Sequence, residues 1–263
     1  MKIIVCIKQV PKLEQVTFDP KTNNLVRDGV EGVLNPPDRY AIEAALQCRE
    51  QVGGQVTVIT MGPSQAEKAL KEACAMGCDT AILLSDRQFA GADTLATAQV
   101  LAAAIRKLGV WDLVICGSHS IDADTGHVGP QVAELLDVPQ ITSVESFNLA
   151  DEAVSIMVNR RIEHGRQTLR VALPAVVSMI PGCSKPRYAN AIALMKAARV
   201  PVTIWSNDDL CLSSESIGQT GSPTSVTRLF QAEQTKQVTM FTGSVNESVK
   251  QLIAALNLKQ YLA

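Results

Sequence analysis

No apolar run in this chain approaches the ~20 residues that a helix needs to cross a bilayer, so no membrane span is expected. Charge of either sign is not in excess. The formal net charge is -2 and the isoelectric point is near 6.0, which leaves no basic footprint for nucleic acid. Histidine is scarce, with only His119, His127 and His164. The sequence has no G-x-S-x-G elbow, no H-E-x-x-H helix and no Walker A loop, and no G-x-G-x-x-G follows its first strand. The usual grounds for a hydrolase, a zinc protease, an ATPase or a standard NAD-binding Rossmann domain are therefore missing, and no catalytic residue is assigned. Cysteine is odd in number and scattered: Cys6, Cys48, Cys74, Cys78, Cys116, Cys183 and Cys211. Cys74 and Cys78 are spaced to share a helix face, but no second pair stands near to complete a tetrahedral site. Free thiols in a reducing cytoplasm are expected, with no metal. The N-terminal MKIIVCIKQVP has one early charge and no small-residue cleavage site, and reads as a first strand rather than a signal peptide.

What is present is an alternation of strands and helices. At 263 residues the chain is long enough for one large domain with its own core. KIIVCIK, QVTVITMG, TAILLS and DLVIC read as strands. Helices are expected from Pro36 to about Gln51, over SQAEKALKEACAMG with Ser64 and Glu67 as a capping box, and from Ala92 to Leu108. VTFDPKTNNLVRDG reads as a hairpin with an Asn-Asn turn. The alternation predicts an α/β fold: a Rossmann-like, mostly parallel sheet with helices on both faces. After Pro139 a β-rich segment is expected, turning at His164–Gly165, followed by a helix near 189–198. From Ser206 the composition turns polar, too polar to pack a core of its own. ESVKQLIAALNLKQYL then forms an amphipathic helix. The expected division is residues 1–205 as the nucleotide-binding domain and 206–263 as an extended C-terminal arm that docks on another chain.

The most informative stretch is GSHSIDADTGHVGP, Gly117 to Pro130, between a buried strand and a helix start. Open α/β sheets build nucleotide sites in this way at their carboxyl edge. Gly117, Gly126 and Gly129 lack a Cβ and let backbone approach a ligand, and a helix start attracts phosphate. Asp122 and Asp124 would repel phosphate if aimed at it, so capping or ribose contact is expected of them. A second polar loop, SDRQFAGADTLAT from Ser85 to Thr97, lies at another strand's carboxyl end. There Arg87 suits a phosphate or an anionic flavin, while Asp93 and Thr94 suit helix capping.

Over essentially its whole length the chain resembles the β (small) subunit of electron-transfer flavoproteins. The resemblance is carried by VCIKQVP, LNPPDRYAIEAAL, TMGPSQAEKAL, CGSHSIDADTGHVGP and, above all, TLRVALPAVVSMIPGCSKPRYANAIALMKA. It implies a heterodimer with an α subunit that carries its own FAD. The β subunit's nucleotide is then a structural AMP in ordinary members. In electron-bifurcating members it is a second FAD, which takes electrons from NADH and divides them between ferredoxin or flavodoxin and, through the α flavin, a partner dehydrogenase. The D-T-x-x-V-G-P pattern and the SDRQFAGADT loop resemble the bifurcating kind. Ser118 and His119 depart from the Arg-Gln pair of many such relatives. On this resemblance the chain is an enzyme only as part of a complex. A stand-alone ATP-binding domain is the remaining alternative, and it lacks a phosphate loop for ATP.

The resemblance also implies a site. Cys6, Asn35, Pro36, Pro37 and Asp38 would stand at the adenosine, with Met61 and Gly62 at a neighbouring turn. Gly117, Ser118, His119, Ser120, Ile121, Asp122, Ala123, Asp124, Thr125, Gly126, His127 and Val128 would hold ribose and phosphates. Arg87, Phe89, Gly91, Ala92, Asp93, Thr94 and Thr97 would meet the flavin. Ile180, Pro181, Gly182, Cys183, Ser184 and Lys185, within a segment of about 175–198, would recognise the dehydrogenase, with Ile180 and Cys183 as apolar anchors.

Overall fold

A central strand of alternating apolar residues organises the molecule. In β1 (Lys2–Cys6) Ile3 and Val5 face one side of the sheet, and Ile4 and Cys6 face the other. The computed structural model describes residues 1–12, 17–18, 25–26, 31–150, 154–227 and 238–258. Within these, β2 (Gln9–Pro11) pairs with β5 (Gly32–Leu34), and β3 (Thr17–Phe18) pairs with β4 (Leu25–Val26), both antiparallel. The Asn-Asn turn expected between β3 and β4 lies outside the described residues. The chain continues through α1 (Pro36–Val52), β6 (Gln55–Met61), α2 (Glu67–Met76), β7 (Thr80–Leu84), α3 (Thr94–Leu108), β8 (Leu113–Gly117) and α4 (Val128–Leu136). Then follow β9 (Gln140–Ala150), β10 (Ser155–Ile162), β11 (Gly165–Ala172), β12 (Ala175–Met179), α5 (Ala191–Arg199), β13 (Val202–Trp205) and α6 (Asn207–Leu210).

Among the described residues the main sheet has nine strands in the order β11-β10-β9-β12-β8-β1-β6-β7-β13. From β9 to β13 every neighbouring pair is parallel. Only β10 and β11 run antiparallel to their neighbours. One core, between the sheet and α1 and α2, takes Ile3, Val5, Val56, Val58, Leu113 and Ile115 from the strands and Ile42, Leu46 and Leu70 from the helices. The other, under α3 and α4, takes Ile4, Cys6, Ile59, Val114 and Cys116, packed on Val100, Ile105 and Val132. This is the expected α/β sheet with helices on both faces.

Three local expectations change. Ser64–Ala66 form a 3-10 turn, with Ala66 N–H donating to the Pro63 carbonyl, so α2 starts at Glu67 and the Ser64–Glu67 capping box does not form. β13 lies just before Ser206, where no element was expected, and α6 emerges from the stretch read only as polar. The compact unit runs to Thr227, and a second unit comprises 228–263, so the division falls past the expected 205/206. The reason is packing: Ile217 is 2% exposed, and Leu210 and Leu212 lie against the α3 core. In the second unit α7 (Val245–Leu258) is opened by a capping box, in which Ser244 N–H donates to Glu247 and Glu247 N–H donates back to the Ser244 hydroxyl.

Far-separated segments are joined by charge. Arg187 donates from Nε to Glu43 Oε2 at 2.9 Å and from Nη2 to Glu43 Oε1 at 3.0 Å. It also reaches Glu50 through Nη1 at 2.5 Å. The Glu43 side chain is 5% exposed. Burial alone would raise its carboxyl, but the Arg187 contacts outweigh this and hold it below the usual range. Arg187→Ala should lower stability by about 3 kcal/mol, because it strands a buried carboxylate, and Arg187→Met with Glu43→Leu should recover most of the loss. Urea unfolding of the two variants checks this. Equal losses in both would refute it.

Candidate functional site

The chain leaves β1 toward β6 on one side and returns as β8 on the other. Loops from the carboxyl ends of β1 and β8 therefore diverge, and a cleft opens between them, as expected at a topological switch point. Its floor is Cys6 and Cys116. Its walls are Ile7, Lys8, Asn35 and Asp38 on one side and Gly117–Ser120 with Thr125–Gly129 on the other. Met61, Thr97 and Leu101 close one end.

Asp38 ties the walls together. It sits in the first turn of α1, where a carboxylate is favoured, and is 5% exposed. Lys8 N–H donates to its Oδ2 at 2.7 Å and the Asn35 amide donates to Oδ1 at 3.0 Å. The Gly117 N–H is a further donor. Burial raises its pKa from 3.8 to about 7 against those donors and the Lys8 charge. Asn35 extends the join: its amide donates to the His119 carbonyl at 2.9 Å, and its Oδ1 accepts from Ile121 N–H at 3.1 Å.

The protein's own packing requires glycine at two of these positions. A Cβ on Gly117 would lie 2.2 Å from Asp38 Oδ1, and one on Gly129 would lie 2.6 Å from Ser178 Oγ. Gly126 has φ +65 and Asp124 φ +55, so the loop turns through left-handed conformations before α4 begins. The first turn of α4 presents backbone N–H groups that a helix leaves unpaired and partly positive. Across the mouth, Lys8 Nζ donates to Asp122 Oδ2 at 2.7 Å. Burial would raise Asp122, but Lys8 outweighs it and keeps the carboxyl low. His119 Nδ1 lies 2.8 Å from Ser118 Oγ, and its Nε2 lies 3.7 Å from Asp124 Oδ1.

The expected residues divide. Cys6, Asn35, Asp38, Met61, Thr97, Gly117, Ser118, His119, Ser120, Thr125, Gly126, His127 and Val128 line the cleft. Pro36 and Pro37 open α1 behind Asp38, and Gly62 N–H is spent on the Leu84 carbonyl. Ile121, Asp122, Ala123 and Asp124 form the outer turn of the loop. Ile7, Lys8, Leu101 and Cys116 were not expected there. Lys8 had a signal, as the first charged side chain past the end of β1, whereas Cys116 read only as the last residue of the strand DLVIC.

The second loop differs more. Phe89 is 4% exposed and packs in the α3 core. Asp93 caps α3, accepting from Leu95 and Ala96 N–H at 3.0 Å each, while its other oxygen accepts from Thr224. Neither side chain lines the cleft. Arg87 and Gly91 are exposed, Ala92 and Thr94 are half-buried, and among this loop's expected residues only Thr97 reaches the cleft. In the expected partner loop, Ile180 is half-buried with its N–H on Val144, and Cys183 packs on the core, so neither projects. The projecting apolar side chains follow it: Tyr188 is 86% exposed, Ile192 61% and Met195 64%.

Two outcomes test the Asp38 join. Gly117→Ala should cost about 1–3 kcal/mol by overpacking and should deform the cleft, which calorimetry would measure. The raised Asp38 pKa makes the folded chain hold a proton that the unfolded chain releases near pH 4. Its stabilising share is therefore full below pH 3.8 and is lost as pH rises to about 7, at up to about 1.4 kcal/mol per pH unit. Asp38→Asn should flatten stability between pH 4 and 7 relative to the parent chain. Parallel curves from urea titrations would contradict it.

The family model described as "Electron transfer flavoprotein domain" matches residues 22–210. The chain is 43% identical, over the full length of both, to "Electron transfer flavoprotein subunit beta" of Thermoanaerobacterium thermosaccharolyticum. It is also 43% identical, again over all of both chains, to "Caffeyl-CoA reductase-Etf complex subunit CarD" of Acetobacterium woodii. "Protein FixA" of Azorhizobium caulinodans is 43% identical, covering 99% of this chain and 95% of its own. With a family model spanning most of the sheet and relatives matched from end to end, this chain belongs to the electron transfer flavoprotein family, among its β subunits.

Proposed function

We propose that this β subunit works in a heterodimer of the electron-bifurcating kind and holds an FAD in the cleft between β1 and β8. The observation that carries the reading is the cleft itself, with the start of α4 at its rim and glycines where a ligand would need close approach. The donor set suits a dinucleotide. Cys6 and Ile7 line the cleft beside Asn35 at the end proposed for an adenine, and the first turn of α4 offers N–H groups to phosphate. Lys8 can exchange Asp122 for a phosphate oxygen. Arg87, Gly91, Ala92, Thr94 and Thr97 remain for the flavin end, since Phe89 and Asp93 are engaged elsewhere.

When bound, such an FAD would supply hydride acceptance from NADH and single-electron transfer toward ferredoxin or flavodoxin and, through the α-subunit FAD, a partner dehydrogenase. The chain's own residues bind and orient; none is assigned as acid, base or nucleophile. The relative named as a caffeyl-CoA reductase–Etf complex subunit supports a place in a redox complex. In this reading the 228–263 unit docks on the α subunit. The dehydrogenase meets the exposed face at Tyr188, Ile192, Leu194 and Met195 rather than Ile180 and Cys183.

One observation favours a purely structural AMP instead: two of the side chains expected at the flavin are taken by the core and by a helix cap. The nucleotide content of the chain co-expressed with its α partner separates the readings. Two FAD and no AMP per heterodimer are expected; one FAD with one AMP would overturn the bifurcating reading. Arg87→Ala should lower flavin retention with the fold intact, and unchanged flavin content would remove Arg87 from the site.

A further inference from the structure

Two cysteines meet at the floor of the cleft. Cys6 ends β1 and Cys116 is its register partner on β8. Register partners on neighbouring strands project to the same face about 4.8 Å apart. Both side chains belong to the α3 core and both border the cleft. The neighbouring Cys116 side chain, then burial, pushes the Cys6 thiol well above its ordinary value. Cys6 is thus a poor nucleophile toward peroxides or disulfides, yet both cysteines border the cleft.

Nothing in the proposed electron-transfer role uses these sulfurs. We propose that Cys6 and Cys116 are a vicinal dithiol site for trivalent arsenicals, which bind as a chelate across the floor of the cleft. The chemistry needs no oxidant and no prior thiolate. An arsonous acid R–As(OH)2 condenses with two thiols: two As–S bonds form, two As–O bonds break, and each thiol proton leaves with a hydroxyl as water. Arsenic stays trivalent. Cysteines at register-paired positions on one face of the sheet stand close enough for one arsenic to bridge. The other close pair, Cys74 and Cys78, is shut in the core between α2 and the sheet. Among the described residues Cys48, Cys183 and Cys211 do not line this cleft.

The test uses the full chain in its heterodimer, freed of bound nucleotide and titrated with phenylarsine oxide. Intact mass and peptide mapping should find one phenylarsenic group joining the Cys6 and Cys116 peptides, removed by a dithiol such as 2,3-dimercaptopropanol and not by a monothiol. Cys6→Ala and Cys116→Ala should each lose the adduct, and circular dichroism of each variant verifies that it is folded. An adduct mapped to Cys74 and Cys78, or one that persists in both folded variants, overturns the proposal. Adding FAD or AMP before the arsenical probes the nucleotide reading separately. Protection is expected, whereas an adduct that forms equally fast leaves the dithiol site standing and counts against nucleotide binding at this cleft.

Discussion

A single buried carboxylate holds the cleft in shape. Asp38 has been taken out of water at the start of α1, which is costly unless every lone pair finds a donor. The donors come from separate stretches: Lys8 N–H after β1, the Asn35 amide before α1, and Gly117 N–H at the end of β8. These are the stretches that must stay in register for a cleft to exist between β1 and β8. Any side chain at position 117 would strike Asp38, so the requirement for glycine there follows from the carboxylate. Asn35 carries the constraint outward, fixing the His119 carbonyl and Ile121 N–H.

The acidic residues around a proposed phosphate site are reconciled by where their charges go. Asp38 is pushed toward neutrality by burial. Asp122 is tied to Lys8, and Asp124 turns outward at φ +55 with its side chain 80% exposed. What faces the cleft from the loop is mostly main chain and hydroxyls, with the start of α4 as the positive end. The Lys8–Asp122 pair is partly solvated, so its net strength is modest. It can open for a ligand without unfolding anything.

The strands were legible because their code is short-range. Ile3, Ile4, Val5 and Cys6 need only the period of two and a sheet buried on both faces. The loop from Gly117 was legible because glycines between a buried run and a helix start have few other uses. The stretch after Ser206 was not. Its composition is that of a solvated linker, and nothing local reveals that Asn207 donates to Asp86 or that Thr224 donates to Asp93. That Ile180 and Cys183 do not project was hidden for a related reason: both are apolar, and only tertiary packing decides which apolar residues are covered. Ser64 and Glu67 had the spacing of a capping box, but a 3-10 turn after Pro63 took its place.

The 206–224 stretch changes how the second loop should be understood. Asp86 accepts from Gln88 N–H within the loop and from Asn207 N–H outside it. Gln219 N–H bonds the Ala90 carbonyl, and Ser222 Oγ accepts from Asp93 N–H. A Cβ at Gly218 would lie 2.0 Å from the Gln88 carbonyl, so the two backbones are in direct contact. A loop exposed at a sheet edge would ordinarily be free to sample conformations. Here its shape is set by a strap more than a hundred residues downstream. Orienting polar groups before a ligand arrives lowers the ordering cost of binding. The strap therefore does for the Arg87–Thr94 loop what Asp38 does for Gly117–Val128. The Gly117–Val128 loop that lines the cleft and the Arg87–Thr94 loop that precedes α3 are thus positioned by separate networks.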